Sequence, residues 1–344
     1  MVLTNDGCAP EPASVTPGKI TFEVQNKDAT KVTEGELKSG DLKHILAEKE
    51  NLTPGLGADF TLNLEAGEYK VYCPGAKQDT WDFTVKGAQT TASWKSNPQL
   101  VAAVNGYAAW IKQEVAKFAA NTQAFAAAVK AGNVEEAKAL YAKARLGYES
   151  VEPAAEAFGD LDRDIDGRID DFPQKSKFQG FHRLEQALFV DNNVTGLSPI
   201  ADRLVTDVGK LQTLVKTQTY SPLELASGAT DLVNEIEQSK ITGEEERYSG
   251  VDLVDFQGNL TGAMEIVKEL TPYLQEHDPA LLAKINSRYQ AVETALAKYK
   301  ADPGYVDSGF VKYTTVTDPE RRALSLVVNA LAESVSEVVV VVSR

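Results

Sequence analysis

The first quarter of the chain alternates apolar and polar residues in short runs. Such alternation is the period of a half-buried β-strand. The runs that show it are residues 20–24, 60–64, 69–72 and 81–85. Turn signals separate them, at Pro17-Gly18, Pro54-Gly55, Ala66-Gly67 and Pro74-Gly75. Short strands at this spacing predict a small antiparallel β-sandwich over residues 1–87.

From residue 98 onward the apolar spacing becomes helical. It predicts helices near residues 98–131, 133–158, 175–191, 199–218, 222–240, 251–276, 279–300 and 319–342. Cap-and-proline signals at Asp278-Pro279 and Asp318-Pro319 support the last two starts, and Asn133 and Ser221 are predicted N-caps. The mostly short connections predict an all-α domain of two packed antiparallel bundles over residues 98–344, behind a polar linker at 88–97.

One predicted helix carries a histidine and a glutamate three residues apart, His182 and Glu185. Positions i and i+3 share a helix face, so the imidazole Nε2 and a carboxylate can converge on one metal ion. The alternative is a surface His–Glu pair on an amphipathic helix. The sequence has three histidines in all, so nearly every other ligand of such a site must be oxygen or sulfur.

Carboxylates cluster at three further places. Glu149 and Glu152 repeat the i, i+3 spacing, residues 160–171 are dense in aspartate, and Glu244, Glu245 and Glu246 follow later. Crowding like charges is unfavourable unless a cation neutralises them. One histidine with three or four carboxylates suits Fe³⁺, Mn²⁺ or Ca²⁺ better than structural zinc. For each acid alone, a solvated surface position is the alternative.

Two other metal motifs fit less well. Asp162, Asp164 and Asp166 match the start of an EF-hand loop, but position 12, where a bidentate Glu should stand, is Pro173. A looser Asp-rich calcium loop remains open. Zinc peptidase motifs need two histidines on one helix, and Gln186 follows Glu185 here, so proteolysis is not favoured.

Composition narrows the class of protein. The formal net charge is −15, which argues against binding nucleic acid, and 43% hydrophobic residues indicate a folded chain. The sequence contains no run of 18 apolar residues, so no membrane span is predicted. Residues 1–5 do not resemble a signal peptide. The two cysteines, Cys8 and Cys73, permit either a disulfide or a thiolate site.

These residues carry a family resemblance. The stretch Gly180–Glu185, with residues 148–153, 158–162, 239–245 and 255–257, resembles the imelysin-like, M75-type domain. The N-terminal pattern resembles the cupredoxin-like domain of Efe-type iron-uptake components; it comprises Cys8, Pro17-Gly18, Phe22, residues 33–36, 54–56 and 67–69, Tyr72 and Cys73. The resemblance covers nearly the whole chain, and the order of the two domains makes it specific.

The resemblance implies two sets of metal ligands. In the helical domain it points to Glu149, Glu152, Asp166, His182, Glu185 and Glu245, leaving open which aspartate of the 160–166 loop ligates and whether Glu244 replaces Glu245. In the β domain it points to a second site at Cys8, Glu34 and Cys73, with Glu36 nearby. Copper or zinc are alternatives to iron at that second site, although a blue-copper centre needs two histidines and only His44 lies in this domain.

The function that the resemblance implies is iron binding outside the cytoplasm, in the periplasm or its equivalent, beside an Efe-type permease and a haem peroxidase. Iron, as Fe³⁺ or Fe²⁺, is the expected metal. A ferroxidase acting at the β-domain site is one alternative. Another is a ligand-binding module with a structural metal, which would need a basic cleft built from residues such as Arg145, Arg183 and Arg247.

Overall fold

The structure is a computed structural model that describes residues 1–40, 42, 45–49, 52–64, 66–87, 94–152, 154, 161–172, 174–238 and 240–343. His44, Pro173, residues 88–93 of the predicted linker and the end of the predicted helix 133–158 lie outside that part of the chain. Two compact units are present, one built mainly from Met1–Val101 and the other mainly from residues between Ala102 and Val342.

The N-terminal unit is built from β-strands. The described strands are β1 (Val2–Leu3), β2 (Ser14–Val15), β3 (Gly18–Asn26), β4 (Gly35–Ser39), β5 (Ile45–Lys49), β6 (Gly57–Leu64), β7 (Gly67–Tyr72) and β8 (Thr80–Val85). They form two sheets, with orders β1-β3-β6 and β2-β8-β7-β4-β5. The β3–β6 pair is antiparallel and in continuous register from Gly18 opposite Leu64 to Gln25 opposite Gly57.

The two sheets share an aromatic core. Phe22 of β3 stacks on Phe60 of β6 with ring centroids 5.0 Å apart, and it meets Phe83 of the other sheet edge-on at 5.0 Å. Alternating burial along β3 shows the half-buried pattern that its sequence predicts. Cys8 and Cys73 are joined in a disulfide, with their Cα atoms 6.4 Å apart. The predicted β-then-α order is confirmed.

The sheets differ from the sequence prediction in two respects. Strands β1, β2, β4 and β5 were not predicted, because they are short and lack a clear apolar alternation. The first two also pair in parallel, β1 with β3 and β2 with β8, so the sandwich is not purely antiparallel.

The C-terminal unit is helical. Its described α-helices are α1 (Pro98–Lys130), α2 (Val134–Glu149), α3 (Leu161–Asp166), α4 (Gly180–Phe189), α5 (Ser198–Leu214), α6 (Pro222–Gln238), α7 (Asp252–His277), α8 (Pro279–Leu296) and α9 (Asp318–Val342). Helices α6 to α9 pack together, and α7 also contacts α2, which in turn contacts α4. Helix α3 packs on α4 and α5.

Helix ends follow the predicted caps closely. The side chain of Asn133 accepts from the backbone N–H of Glu136, and Ser221 and Glu224 form a reciprocal capping box. Asp278 caps α8 through the backbone N–H of Leu281. At α9 the helix begins one residue earlier than predicted, and the Glu320 carboxylate accepts from the backbone N–H of Thr317.

Helix α9 is long and apolar enough to cross a membrane by length and composition alone. The helix packs against α6 and α8, and its buried residues include Leu324, Val328, Leu331 and Val335. A single helix of this kind is weak evidence of a membrane span, because core helices of other proteins meet the same criterion.

The region before α4 differs most from the predicted helices. Helix α3 occupies residues that were expected to form a loop, and α4 begins at Gly180 instead of residue 175. Gly180 has φ of +74°, and a Cβ there would lie 2.3 Å from the carbonyl oxygen of Ile165. A glycine is therefore required for α4 to start this close to α3. The close approach brings the start of α4 against the end of α3.

Candidate metal centre

The HxxE pair is buried in the helical unit. His182 and Glu185 lie on the first turns of α4 with 1% and 0% of their surface exposed. A surface His–Glu pair, the alternative from the sequence, is therefore wrong. Glu149, Glu152, Asp166 and Glu245 are also buried, which removes the solvated-surface alternative for those acids. Buried carboxylates in such numbers need compensating charges or protons.

Glu185 fixes the orientation of the His182 ring. Its Oε2 lies 2.9 Å from Nδ1 of His182. Its other oxygen accepts from two backbone N–H groups, those of Tyr248 at 2.9 Å and Ser249 at 2.6 Å. Both oxygens of Glu185 are thus engaged within the protein. This is the carboxylate–histidine arrangement that orients an imidazole for metal binding through its other nitrogen.

The Nε2 atom of His182 is buried and has no hydrogen-bond partner among the described residues. It lies 3.4 Å from Oε1 of Glu245 and 3.5 Å from Oδ1 of Asp166, within ion-pair distance but outside hydrogen-bond geometry. Asp166, His182 and Glu245 each offer one ligand atom, and these atoms all lie within 4.8 Å of one another. One nitrogen and two carboxylate oxygens facing a common point can hold a hard or borderline metal ion.

A small cleft lies beside this group. It is lined by Arg168, Ile169, His182, Glu244, Glu245, Arg247 and Tyr248. At its edge, Arg168 donates to Oε2 of Glu245 at 3.1 Å, so the two oxygens of Glu245 face in different directions, one to Arg168 and one to His182. Arg247 instead pairs with the exposed Asp170 and Glu244.

Glu149 and Glu152 lie in a neighbouring group that shares Asp166. Both are engaged by Lys240, which is fully buried; its Nζ contacts Glu149 and lies 3.2 Å from Oε2 of Glu152. The close approach of α2 and α7 depends on Gly258, where a Cβ would lie 2.3 Å from Cβ of Glu149. These two glutamates are therefore ion-paired with Lys240, whereas Nε2 of His182 has no hydrogen-bond partner among the described residues.

A second buried cation, Arg145, stands among the acids. Its guanidinium contacts Glu149 and Asp166, and its Nε lies 2.7 Å from Oε1 of Glu246 and 3.7 Å from Asp255. The sequence argument considered Arg145 only as part of a basic cleft, and it missed Lys240 as an internal counter-ion. The signal for Arg145 was present, since Arg145 and Glu149 are spaced i, i+4 on α2. No local pattern indicates Lys240, because its partners are far away in sequence.

Among the described residues the buried acids outnumber these two buried cations. The pKa values of several of the acids are raised as a result. Burial and the neighbouring Glu185 raise the pKa of Glu246 to about 8, and burial raises the pKa of Asp252 to about 7. Burial and the nearby Glu149 and Glu246 raise the pKa of Asp255 well above its usual range. Several acids therefore hold protons near neutral pH.

His182 and Glu245 behave as an ion pair. Burial alone would lower the pKa of His182, but its interactions with Glu185 and Glu245 outweigh burial and raise the pKa to about 9. Burial alone would raise the pKa of Glu245, and the contact with His182 and the charges of Lys240 and Arg168 hold it well below its usual range. A proton on Nε2 thus occupies the position that a metal ion would take.

The aspartates of the predicted calcium loop do not converge. The hydroxyl of Tyr148 donates to Asp162, while Asp164 accepts from Gln179 at 2.7 Å and from Arg203 at 2.8 Å. Because residues 161–166 form helix α3, these side chains point to different partners. The EF-hand-like interpretation is therefore wrong for the described part of the loop, and Asp166 is the residue of this segment that joins the His182 group.

In the β unit, the residues predicted for the second metal site have other partners. The disulfide between Cys8 and Cys73 leaves neither sulfur as a thiolate, so these two residues cannot act as thiolate ligands with Glu34 in this state. Glu34 lies instead with Glu36 and Glu48, with one oxygen of each within 4.8 Å of the others. A ferroxidase centre at Cys73 would need a reduced sulfur, which this arrangement does not supply.

Comparison with known proteins identifies the family of this chain. Residues 103–338 match the family described as Peptidase_M75, imelysin. The chain is 41% identical to the iron uptake system component EfeO of Escherichia coli O1:K1, over 98% of this chain and 89% of that protein. It is 40% identical to the proteins of the same name from E. coli K12 and Shigella flexneri, over the same shares of the two chains. Both the matched domain and the identity over nearly the whole chain show that this protein belongs to the imelysin (M75) family.

Proposed function

We propose that this protein binds iron for an Efe-type iron-uptake system. Relatives that are 40–41% identical over 98% of the chain carry the name of an iron-uptake component, and the matching family domain contains the buried HxxE pair. Neither copper nor zinc is supported by the names of these relatives. As in the resemblance, the protein acts outside the cytoplasm, beside an Efe-type permease and a haem peroxidase.

The iron ion is held by Oδ1 of Asp166, Nε2 of His182 and Oε1 of Glu245, with Glu185 orienting the imidazole. One observation carries this assignment: a buried imidazole nitrogen, which has no hydrogen-bond partner in the part of the chain that the structure describes, faces two carboxylate oxygens at 3.4 and 3.5 Å. Two carboxylates and one imidazole form a hard, oxygen-dominated set that suits iron better than the sulfur-rich sets of structural zinc. Of the six predicted ligands, Glu149 and Glu152 support the site through Lys240 and Arg145 instead of ligating.

A competition titration tests this function. Purified protein is analysed for bound metal and then titrated with Fe³⁺ as a soluble chelate against Zn²⁺, Cu²⁺ and Ca²⁺. We expect iron to bind most tightly and the variant His182→Ala to lose that binding. His277→Ala is the matched control, since His277 stacks on Tyr273 at the end of α7 and takes no part in the site. Equal iron binding by wild type and His182→Ala would overturn the proposal.

A further inference from the structure

Lys240 is a charged side chain with no exposed surface. It begins a short 3₁₀ turn, Lys240–Thr242, and its Nζ reaches into the acidic group next to the proposed iron site. Three carboxylates surround it: Glu149 in direct contact, Glu152 at 3.2 Å and Glu235 at 3.4 Å. Lysine is almost never fully buried unless it is paired, so this placement requires a specific counter-charge.

The Nζ atom of Lys240 lies among carboxylates that form a possible metal-binding group. Glu149, Glu152 and Asp166 each present an oxygen within 4.8 Å of the others, which is a grouping that could hold a cation. Lys240 contacts Oε2 of Glu149 and Oε2 of Glu152, which are two of the three members of that group. Asp166 belongs both to this group and to the group with His182 and Glu245, so the two cation positions are adjacent.

Neighbouring contacts hold the carboxylates of this second position around the ammonium. The side-chain amide of Asn259 donates to Oε2 of Glu149 at 3.2 Å and to Oε2 of Glu152 at 3.1 Å, the same oxygens that face Lys240. Arg145 contacts the other oxygen of Glu149. These contacts hold the carboxylates of Glu149 and Glu152 in positions that suit a cation. The ammonium of Lys240, which is part of the chain, is that cation.

We propose that the ammonium of Lys240 occupies the second cation position of this acidic pocket and so restricts the pocket to one metal ion. The inference rests on the proposed function for the first position, at His182. Two ions, one at each position, would share Asp166 as a bridging ligand, as in two-metal sites. Because Lys240 is part of the chain, it neutralises Glu149 and Glu152 without competing for the metal supply. Removing the ammonium should open a site for a second hard cation.

The experiment compares wild type with Lys240→Met, which keeps the length of the side chain and removes its charge. The probe is Mn²⁺ alone, because it is soluble and paramagnetic. We expect wild type to bind one equivalent and Lys240→Met to bind two by metal analysis. Two adjacent ions should also change the electron paramagnetic resonance spectrum from that of an isolated ion to that of a spin-coupled pair. The double variant Lys240→Met, Glu152→Gln keeps the net charge of the pocket and should bind one.

Each outcome decides the inference. Equal numbers of bound ions in wild type and Lys240→Met would overturn it, as would the spectrum of a spin-coupled pair in wild type or in the double variant. If Lys240→Met unfolds without metal, saturating Mn²⁺ should restore the fold, and failure to do so would also overturn the inference. Zero equivalents in wild type with one in Lys240→Met would support the role of Lys240 while contradicting the proposed iron site. Zero in both would contradict both.

Discussion

The imidazole of His182 is bonded through Nδ1 to Oε2 of Glu185 at 2.9 Å, which leaves Nε2 as the nitrogen that faces Asp166 and Glu245. Glu185 is itself held by the backbone N–H groups of Tyr248 and Ser249. The loop that follows Lys240 therefore sets the ring orientation of a histidine on α4. In the proposed site the two residues of the HxxE motif have different roles: His182 presents the ligand atom, and Glu185 fixes which nitrogen that is.

The first prediction concerns Glu185→Gln. The glutamine oxygen keeps the two backbone N–H bonds, so its NH₂ group faces Nδ1 of His182 and forces the imidazole proton onto Nε2. A protonated Nε2 cannot ligate a metal ion. We expect metal affinity to fall by about 10–100-fold with helicity unchanged. Competition titration and circular dichroism measure the two quantities, and unchanged affinity would show that Glu185 does not set the tautomer.

The second prediction separates Glu245 from Glu244. Glu245 is buried with Oε1 facing His182, whereas the Glu244 side chain is 62% exposed and pairs with Arg247. Glu245→Gln removes a ligand charge and should weaken iron binding by at least about tenfold, which corresponds to about 1.4 kcal/mol. Glu244→Gln is the matched control and should bind as wild type does. The reverse order would assign the ligand to Glu244.

The third prediction concerns pH. The pKa of His182 is raised from its ordinary value to about 9 in the metal-free protein. The proton therefore stabilises the folded state fully below about pH 6.5, and this contribution is lost as the pH rises through about 9. Metal-free wild type should melt at a lower temperature at pH 9.5 than at pH 7. In His182→Gln the difference in melting temperature between pH 7 and pH 9.5 should be smaller. An equal difference in the two proteins would contradict the raised pKa of His182.

The same proton must leave when metal binds. At pH 7.5 binding should release about one proton per ion from His182, so the affinity should rise by about tenfold per pH unit up to about pH 9. With an unperturbed histidine, the affinity would rise with pH only up to about pH 6.5. Here the rise continues to about pH 9 because the buried site keeps His182 protonated. Calorimetry in buffers of different ionisation enthalpy counts the protons, and a count near zero would contradict the mechanism.

The fourth prediction concerns the disulfide of the β unit. Cys8 and Cys73 are 65 residues apart in sequence, and closing a loop of that length contributes about 4 kcal/mol to stability in the chain-entropy model. Reduction, or the double variant Cys8→Ser, Cys73→Ser, should destabilise the β unit by roughly that amount. Hydrogen exchange of β3 and β7 in increasing urea measures it. Iron affinity at His182 should not change, and its loss on reduction would place a sulfur in the iron site.

The sequence predicted the fold class and the placement of the HxxE pair on one helix because both depend on local periodicity. Apolar alternation marked the long strands, and cap residues such as Asn133 and Ser221 marked helix starts to within a residue or two. The HxxE spacing placed His182 and Glu185 on one face of α4. These features are determined by residues three or four apart, so they can be read from the chain directly.

Features that depend on distant contacts were not predicted. Short strands such as β4 carry too few residues to show a period. Helix α3 was expected to be a loop, and its six residues, dense in aspartate, are also too few to show a helical period. The charge argument treated the acids as needing a metal, but Arg145 and Lys240 neutralise part of the cluster from α2 and from a turn 91 residues beyond Glu149. Such pairing is visible only when the helices are packed.

The most direct test of the central claim is to locate iron in crystals of the iron-loaded protein by anomalous scattering at the iron absorption edge. The account predicts one anomalous peak within ligand distance of Nε2 of His182 and of the carboxylates of Asp166 and Glu245, with the Lys240 ammonium still between Glu149 and Glu152. An iron peak elsewhere in the chain, with His182 keeping its metal-free contacts, would contradict it.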